Sequence, residues 1–466
     1  MMKKRINIIF IVCFCVLLII PGVLFNHEEN AVSEIDNKVL MENPLTSETE
    51  SVDDLADALE QYVSERIGLR DQMISFYTLA NDKLFGEMVH PIYTYGKDGY
   101  IFFTLSAIKE YGEYEDAYVH MLTEMQEYCD ERGIPFVYVF DPSKISILRD
   151  KLPDGYNYNN DWVQEFLDKL DENNICYVDN TVQMNECIED GIQVFNVKYN
   201  AGHWNDTGAF YGMNAVLLKL QEQIPTVHVN SLKEYKVTQK LNTSLQVSQF
   251  PIYEYEPIYE LKNSAYIKDI TGKYDGEIKR NKSYSGFSYV INYERKEKSA
   301  PKALVFQGSY LNGMGYKFLQ NAFGEYISVH DYQNVLNFEY YVDIFEPDCI
   351  VFEAAEYTFS STYFDYEGMK NFSLNPNYDS FDKCTVKRVA RNLSVTKGDQ
   401  IIQIKVPIID DCEYAYMLVG NKVLDMYASD DGENWEINII KNNFNLNDTK
   451  IIQIDEDNMI KYNVNF

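Results

Sequence analysis

Four short apolar runs constrain this chain more than any other feature: "IPFVYVF" within 134–140, "ICYV" at 175–178, "ALVF" at 303–306 and "CIVF" at 349–352. Each lacks the alternation of a half-wet strand, and each ends in a turn or a polar residue. Such runs read as strands buried on both faces. Segments with helical spacing lie between them: about 112–132, "DWVQEFLDKLDENN", "WNDTGAFYGMNAVLLKLQEQ" and "YKFLQNAFG". The third opens on Asn-Asp-Thr, good capping chemistry. Strands alternating with helices predict an α/β fold with a parallel sheet, whose chemistry gathers beyond the C-terminal strand ends.

At 466 residues the chain exceeds one ordinary core. "KKR" at 3–5 precedes the apolar run "INIIFIVCFCVLLIIPGVLF", and acidic "HEENAVSEID" follows it. That charge order predicts a transmembrane helix over 1–26, with residues 1–5 cytoplasmic and the bulk of the chain extracytoplasmic. No small-x-small site follows the run, so an uncleaved single-pass anchor is expected rather than a removed signal peptide. Residues 27–50 read as a polar stalk. Helical spacing over 51–86 and the Gly-Lys-Asp-Gly hairpin "YTYGKDGYIFF" then open an α/β domain spanning 51–228 and 299–372. A Tyr-, Lys- and Glu-rich stretch over 229–298 reads as a β-rich insertion. Strong alternation over 375–466 predicts a small β-sandwich, joined through "LNPNYDSF".

The net charge of −31 argues against nucleic-acid partners, whose phosphates would be repelled. Eight cysteines are scattered without a C-x-x-C. The six outside the apolar run are open to pairing or to service as small buried hydrophobes. No metal-ligand spacing is present, and neither metal nor cofactor is expected.

Two residues stand out for chemistry. Ser309, in "VFQGSYLNG", follows a buried strand and a glycine that permits a sharp turn, which exposes a hydroxyl beside backbone N–H groups. His203, in "AGHWNDTG", lies in a loop before a capped helix, where an imidazole can act as the base. Trp204 is expected to wall the pocket. His330 is the one rival base. Taken singly, each is also an ordinary turn residue.

The motifs together resemble the SGNH-hydrolase-like proteins related to the alginate O-acetylation proteins (AlgX/AlgJ-like) and the clostridial DHHW proteins. The resemblance runs through "ERIGLRDQMISFYTLANDKLFG", the Gly-Lys-Asp-Gly hairpin, "DPSKISILRDKLP", "GHWNDTGAFYG", "VFQGSYLNG" and "FEPDCIVFEAAEYTF", over about 55–370. It implies acyl transfer, with Ser309 as nucleophile, His203 as base and an aspartate orienting the histidine. That aspartate stands two residues before the histidine in the family, where this chain has Ala201. Gln307 replaces the family's glycine two before the serine. Asn200, Asp206 or Asp331 then remain as substitutes for the acid. Asn312 and Tyr310 are expected near the acyl oxygen or the sugar, and Arg70, Lys144 and Glu353 in the site or in buried ion pairs. The implied partners are a polysaccharide acceptor and a multi-pass membrane acyltransferase that donates the acyl group. The alternative is a catalytically impaired polysaccharide-binding or assembly protein on the same fold.

Overall fold

The computed structural model describes residues 2–28, 31–33, 35, 38–45, 52–104, 109–246, 248, 250–377, 383–420, 422–429, 431–441 and 449–465. The chain opens with α1 (Met2–Val23), whose stretch Arg5–Val23 is unburied and long and apolar enough to cross a membrane. Two helices follow, α2 (Val52–Arg66) and α3 (Arg70–Phe85), then the hairpin β1 (Tyr93–Tyr95) and β2 (Ile101–Phe103).

The described part of the stalk, residues 26–28, 31–33, 35 and 38–45, is strapped down rather than free. The buried Arg66 guanidinium donates to the carbonyls of Glu28 (2.7 Å), Leu40 (3.3 Å) and Met41 (2.7 Å). Ile35 and Leu40 are buried with it. One arginine thus satisfies the carbonyls of an irregular segment that has little ladder pairing of its own. Residues 29, 30, 34, 36, 37 and 46–50 of that stretch lie outside the described residues.

The α/β domain runs α4 (Glu113–Arg132), β3 (Phe136–Asp141), α5 (Trp162–Glu172), β4 (Tyr177–Asp179), α6 (Asn180–Glu189) and α7 (Asp206–Gln221). After the hairpin β5 (Tyr235–Ser244) and β6 (Pro251–Leu261) come β7 (Ile267–Asp269), β8 (Phe287–Asn292), β9 (Lys302–Gln307), α8 (Tyr316–Ala322), β10 (Glu325–His330), α9 (Phe338–Phe345) and β11 (Cys349–Ala355). The central sheet has the order β4-β3-β11-β9-β10-β8-β7. Its first five strands are parallel, while β8 and β7 add on antiparallel.

Period-2 geometry explains the continuous apolar runs. Phe136, Tyr138, Phe140, Phe306 and Phe352 face α4, α5 and α9, while Val137, Val139, Val305 and Val351 face α6, α7 and α8. Both faces are dry, so neither set can be polar.

The segment 229–298 divides in two. Among the described strands of this segment, the 235–261 hairpin alone stands outside the central sheet, because Phe287–Asn292 finds a ready partner in Glu325–His330. The alternating "EYISVH" that makes β10 went unread in the sequence, and it is the strand that recruits β8.

Among the described residues, the C-terminal β-rich domain holds eight strands between Thr385 and Asn465, in one continuous ladder around an apolar core that includes Ile404, Met417, Ile437 and Ile451. It docks on α4 and α9: Arg132 Nη2 meets Asp425 Oδ1 at 2.9 Å, and Asn375 Nδ2 donates to the carbonyls of Ala415 and Met426 at 3.0 Å. All eight cysteines are unpaired.

Candidate active site

Ser309 leaves the end of β9 through Gly308 and begins a helical stretch that includes a π-turn over Leu311–Gly315 and then α8. Gly308 is required there by contact: a Cβ would stand 2.8 Å from both carboxyl oxygens of the fully buried Glu353 on β11. Burial, with Asp141 and Asp331 near, pushes the Glu353 carboxyl well above the usual range. Glu353 pairs with no cation among the described residues, so the expected buried ion pair is absent; its carboxyl instead backs the serine turn.

His203 reaches the same sheet edge from the loop before α7. Its Nε2 lies 2.9 Å from Ser309 Oγ. The Tyr357 hydroxyl, just past β11, lies 2.5 Å from Ser309 Oγ and 3.4 Å from His203 Nε2. Tyr310 supports the imidazole from below, with ring centroids 4.5 Å apart. The Tyr310 hydroxyl lies 2.8 Å from the Gly202 carbonyl and 2.9 Å from that of Pro142, which fixes the backbone beside the histidine. Burial lowers the His203 pKa from 6.5 to about 4 and raises that of Tyr357, so both rings are neutral near pH 7.

The loop carrying His203 is clamped twice. On β6, the Glu254 carboxylate accepts three successive backbone N–H groups: Val197 (2.7 Å), Lys198 (2.8 Å) and Tyr199 (2.5 Å). From the other side, the buried Lys144 ammonium donates to the carbonyls of Val197 and Ile101, both at 2.9 Å, and the Lys144 N–H to that of Gly202. Burial lowers the Lys144 pKa to about 7. Lys144 therefore joins the β1–β2 hairpin to the histidine loop through carbonyls rather than through an ion pair.

The other expected residues fall into place differently. Trp204 does not wall the pocket. Its fully buried indole fills space above α7 that exists because residues 208 and 212 are glycines: a Cβ on Gly212 would lie 2.6 Å from the ring. Its N–H donates to the Tyr310 carbonyl at 3.3 Å. Asn200, at a left-handed φ of 52°, places its amide 3.8 Å from Met314 Sδ, not on the imidazole. Asp206 pairs with Lys317 at 2.5 Å and accepts the Tyr259 N–H at 2.7 Å. Asp331 lies 3.1 Å from His330 Nδ1, and the pair makes no hydrogen bond with Ser309. Arg70 begins α3, paired with Asp71 at 3.1 Å. Among the described residues, no carboxylate hydrogen-bonds to His203. Ala201, where the orienting acid is expected, is buried in an apolar cluster with Tyr93, Ile101, Leu245 and Phe250.

Asn312 lines the pocket, and its side-chain oxygen is held by the Gln307 amide, which in turn meets the Tyr326 hydroxyl. Gln307 thus orients a donor, a use its place at a glycine position did not suggest. The cleft has a volume of about 450 Å³. Tyr93, Phe103 and Tyr199 supply aromatic walls, and its charges come as two couples, Asp206 with Lys317 and Glu256 with Lys240 (3.4 Å).

Tyr357 and Glu254 are the site residues that sequence reading missed. Tyr357 lay inside the quoted "FEAAEYTF", at a strand's C-terminal end, where such a sheet places chemistry; that position was its one available signal.

Residues 94–249 match the family model described as ALGX, the SGNH hydrolase-like domain of acetyltransferase AlgX. The match includes His203 and Glu254's partner loop and stops short of Ser309. Among solved structures, the chain is similar to Bacillus cereus PatB1 carrying a sulfonyl adduct (17% identity, 61% of this chain and 99% of that one, TM-score 0.44). It is also similar to the O-acetyltransferase domain of Pseudomonas putida AlgJ (13%, 60% and 99%, TM-score 0.40). A DHHW family protein from Eubacterium siraeum matches likewise (16%, 61% and 100%, TM-score 0.40). No curated protein matches the sequence.

Proposed function

We propose that this chain is an extracytoplasmic O-acetyltransferase that acts on a cell-surface or secreted polysaccharide through Ser309 and His203. The observation that carries the reading is the 2.9 Å contact between Ser309 Oγ and His203 Nε2 at the rim of a cleft. In the first step, Oγ attacks the acyl carbonyl carbon while its proton passes to Nε2. The donor's leaving group then departs with that proton, leaving an ester on Ser309. An acceptor hydroxyl gives its proton to Nε2 and attacks the ester carbonyl, and Ser309 Oγ departs taking that proton back from Nε2, which restores both side chains. Oxyanion donors come from the Ser309 N–H and the Asn312 amide. The paired charges leave the cleft without a net charge, and its aromatic walls offer flat surfaces; both suit a hydroxyl-bearing sugar better than an ion. The acyl donor is a multi-pass membrane acyltransferase held in the same membrane by α1.

Tyr357 stays protonated and donates to Ser309 Oγ. As the oxygen commits its lone pair to the carbonyl, that donor is free to turn to the developing oxyanion. Tyr357→Phe is expected to lower kcat by about 10²- to 10³-fold with KM little changed, as for loss of one oxyanion donor. Unchanged kcat would limit Tyr357 to packing.

The depressed His203 pKa sets a pH dependence. The base works only when neutral, so the acid limb of the rate–pH profile is expected near 4 rather than 6.5. The same shift weakens folding in acid: stability is undiminished above 6.5 and falls as pH drops from 6.5 to about 4, where the unfolded chain takes up a proton that the buried imidazole refuses. A limb at or above 6.5 would mean that an anion faces the imidazole during turnover.

The direct test is transfer of acetyl from an activated ester to an oligosaccharide by the full chain. Ala201, in the place of the orienting acid, favours the second reading of a binding or assembly protein. That reading predicts saccharide binding that survives Ser309→Ala, with no ester product from the unsubstituted chain.

A further inference from the structure

Helix α3 carries an apolar face that nothing in the described fold covers. Phe76 is 75% exposed, Leu84 73%, Phe85 70%, Tyr77 57%, Met73 46% and Leu69 43%. Most of these recur at intervals of three, four, seven or eight, so they form a stripe along one side. Thr78 is the helix's one buried residue. A soluble surface does not normally gather six large apolar side chains in seventeen positions.

The position of this face relative to α1 identifies what covers it. The Gly68 N–H donates to the Pro21 carbonyl at 2.9 Å, and the Asn26 N–H to the Arg66 carbonyl at 2.8 Å. A Cβ on Gly68 would lie 2.4 Å from Leu24 Cβ, so the turn into α3 presses on the outer end of the apolar anchor. Leu69, the first residue of the stripe, is the next in sequence. Charge agrees: α3 holds Arg70 and Lys83 against Asp71 and Asp82, neutral in a chain of net −31. Anionic headgroups, which repel the rest of the molecule, do not repel this helix. Phe and Tyr beside Leu and Met are also the residues that settle at the boundary of headgroups and acyl chains.

We infer that α3 lies against the outer leaflet of the bilayer, a second membrane contact beside α1. The inference rests on the anchor reading for its location. It has a consequence for the site. Tyr95 on β1 donates to Asp82 of α3 at 2.7 Å, and Tyr93 on the same strand lines the cleft. A lipid-seated α3 therefore fixes the height and tilt of the Ser309 cleft above the membrane.

The test uses the full chain in phosphatidylcholine vesicles with or without brominated acyl chains. The three natural tryptophans, Trp162, Trp204 and Trp435, are buried and give a constant background. Phe76→Trp adds an indole on the stripe, Phe85→Trp a second, and Phe14→Trp one inside the anchor. The expected result is loss of about half or more of the added emission at 76 and 85 in brominated vesicles, with a similar loss at 14. Quenching at 14 without quenching at 76 or 85 overturns the inference, and points to a protein partner for the stripe. Quenching at 76 and 85 but not at 14 supports the lipid contact and removes the anchor. Quenching at none of them overturns both.

Discussion

Ser309→Ala is expected to lower acyl transfer by at least about 10³-fold, because in the proposed mechanism Ser309 carries the covalent intermediate and no neighbouring hydroxyl can replace it. The nearest, Tyr357, lies 2.5 Å from Ser309 Oγ, but burial holds its phenol protonated. His203→Ala is expected to cost as much, since Oγ then has no acceptor for its proton. The double variant should be no worse than either single one, as for residues that act as a unit. Steady-state transfer to a soluble acceptor measures all three. Additive losses would mean that the two side chains serve separate steps, against the 2.9 Å contact.

Glu254→Ala is expected to be the most damaging change outside the cleft. Its carboxylate is the common acceptor for three backbone N–H groups, and no other acceptor replaces it for Val197, Lys198 and Tyr199. Charge-assisted bonds of this kind are short, and losing them leaves donors to find water. The cost in stability should be on the order of 3 kcal/mol, read by chemical denaturation. The loop also carries His203 four residues on. A displacement of the imidazole by about 1 Å should cost kcat about 10²-fold, while KM for the acyl donor changes less. Glu254→Gln keeps an acceptor oxygen and should recover part of both losses. A stable Glu254→Ala variant with full kcat would show that Lys144 and Tyr310 hold the loop by themselves.

The sequence made the frame of this molecule legible and left its fine positioning hidden, for physical reasons. Phe136–Asp141, Lys302–Gln307 and Cys349–Ala355 announce themselves because burial on both faces forces uninterrupted apolar residues. The two glycine-adjacent motifs placed Ser309 and His203 at strand and helix ends, and the sheet brings those ends together. Trp204 misled because a loop has no period to say which way an indole points; the answer lay in Gly208 and Gly212, one and two turns along α7. Glu254 was hidden among the repeated acidic residues of "YEYEPIYE", where nothing local separates a clamp from a solvated charge. Its role exists only once β6 folds over residues 197–199. Tyr357 was one of 38 tyrosines. The missing acid was the opposite case. Ala201 was visible as a departure, and the described structure supplies no carboxylate on the imidazole in its place.

Acylation of Ser309 is the step that most directly separates an acyltransferase from a binding protein on the same fold. The full chain would be incubated with an activated acetyl ester, quenched in acid, digested and read by mass spectrometry. The expected result is one acetyl group on the peptide containing Ser309, absent from Ser309→Ala and from His203→Ala. An unmodified Ser309 peptide, or an acetyl group on another residue with turnover intact, would contradict it.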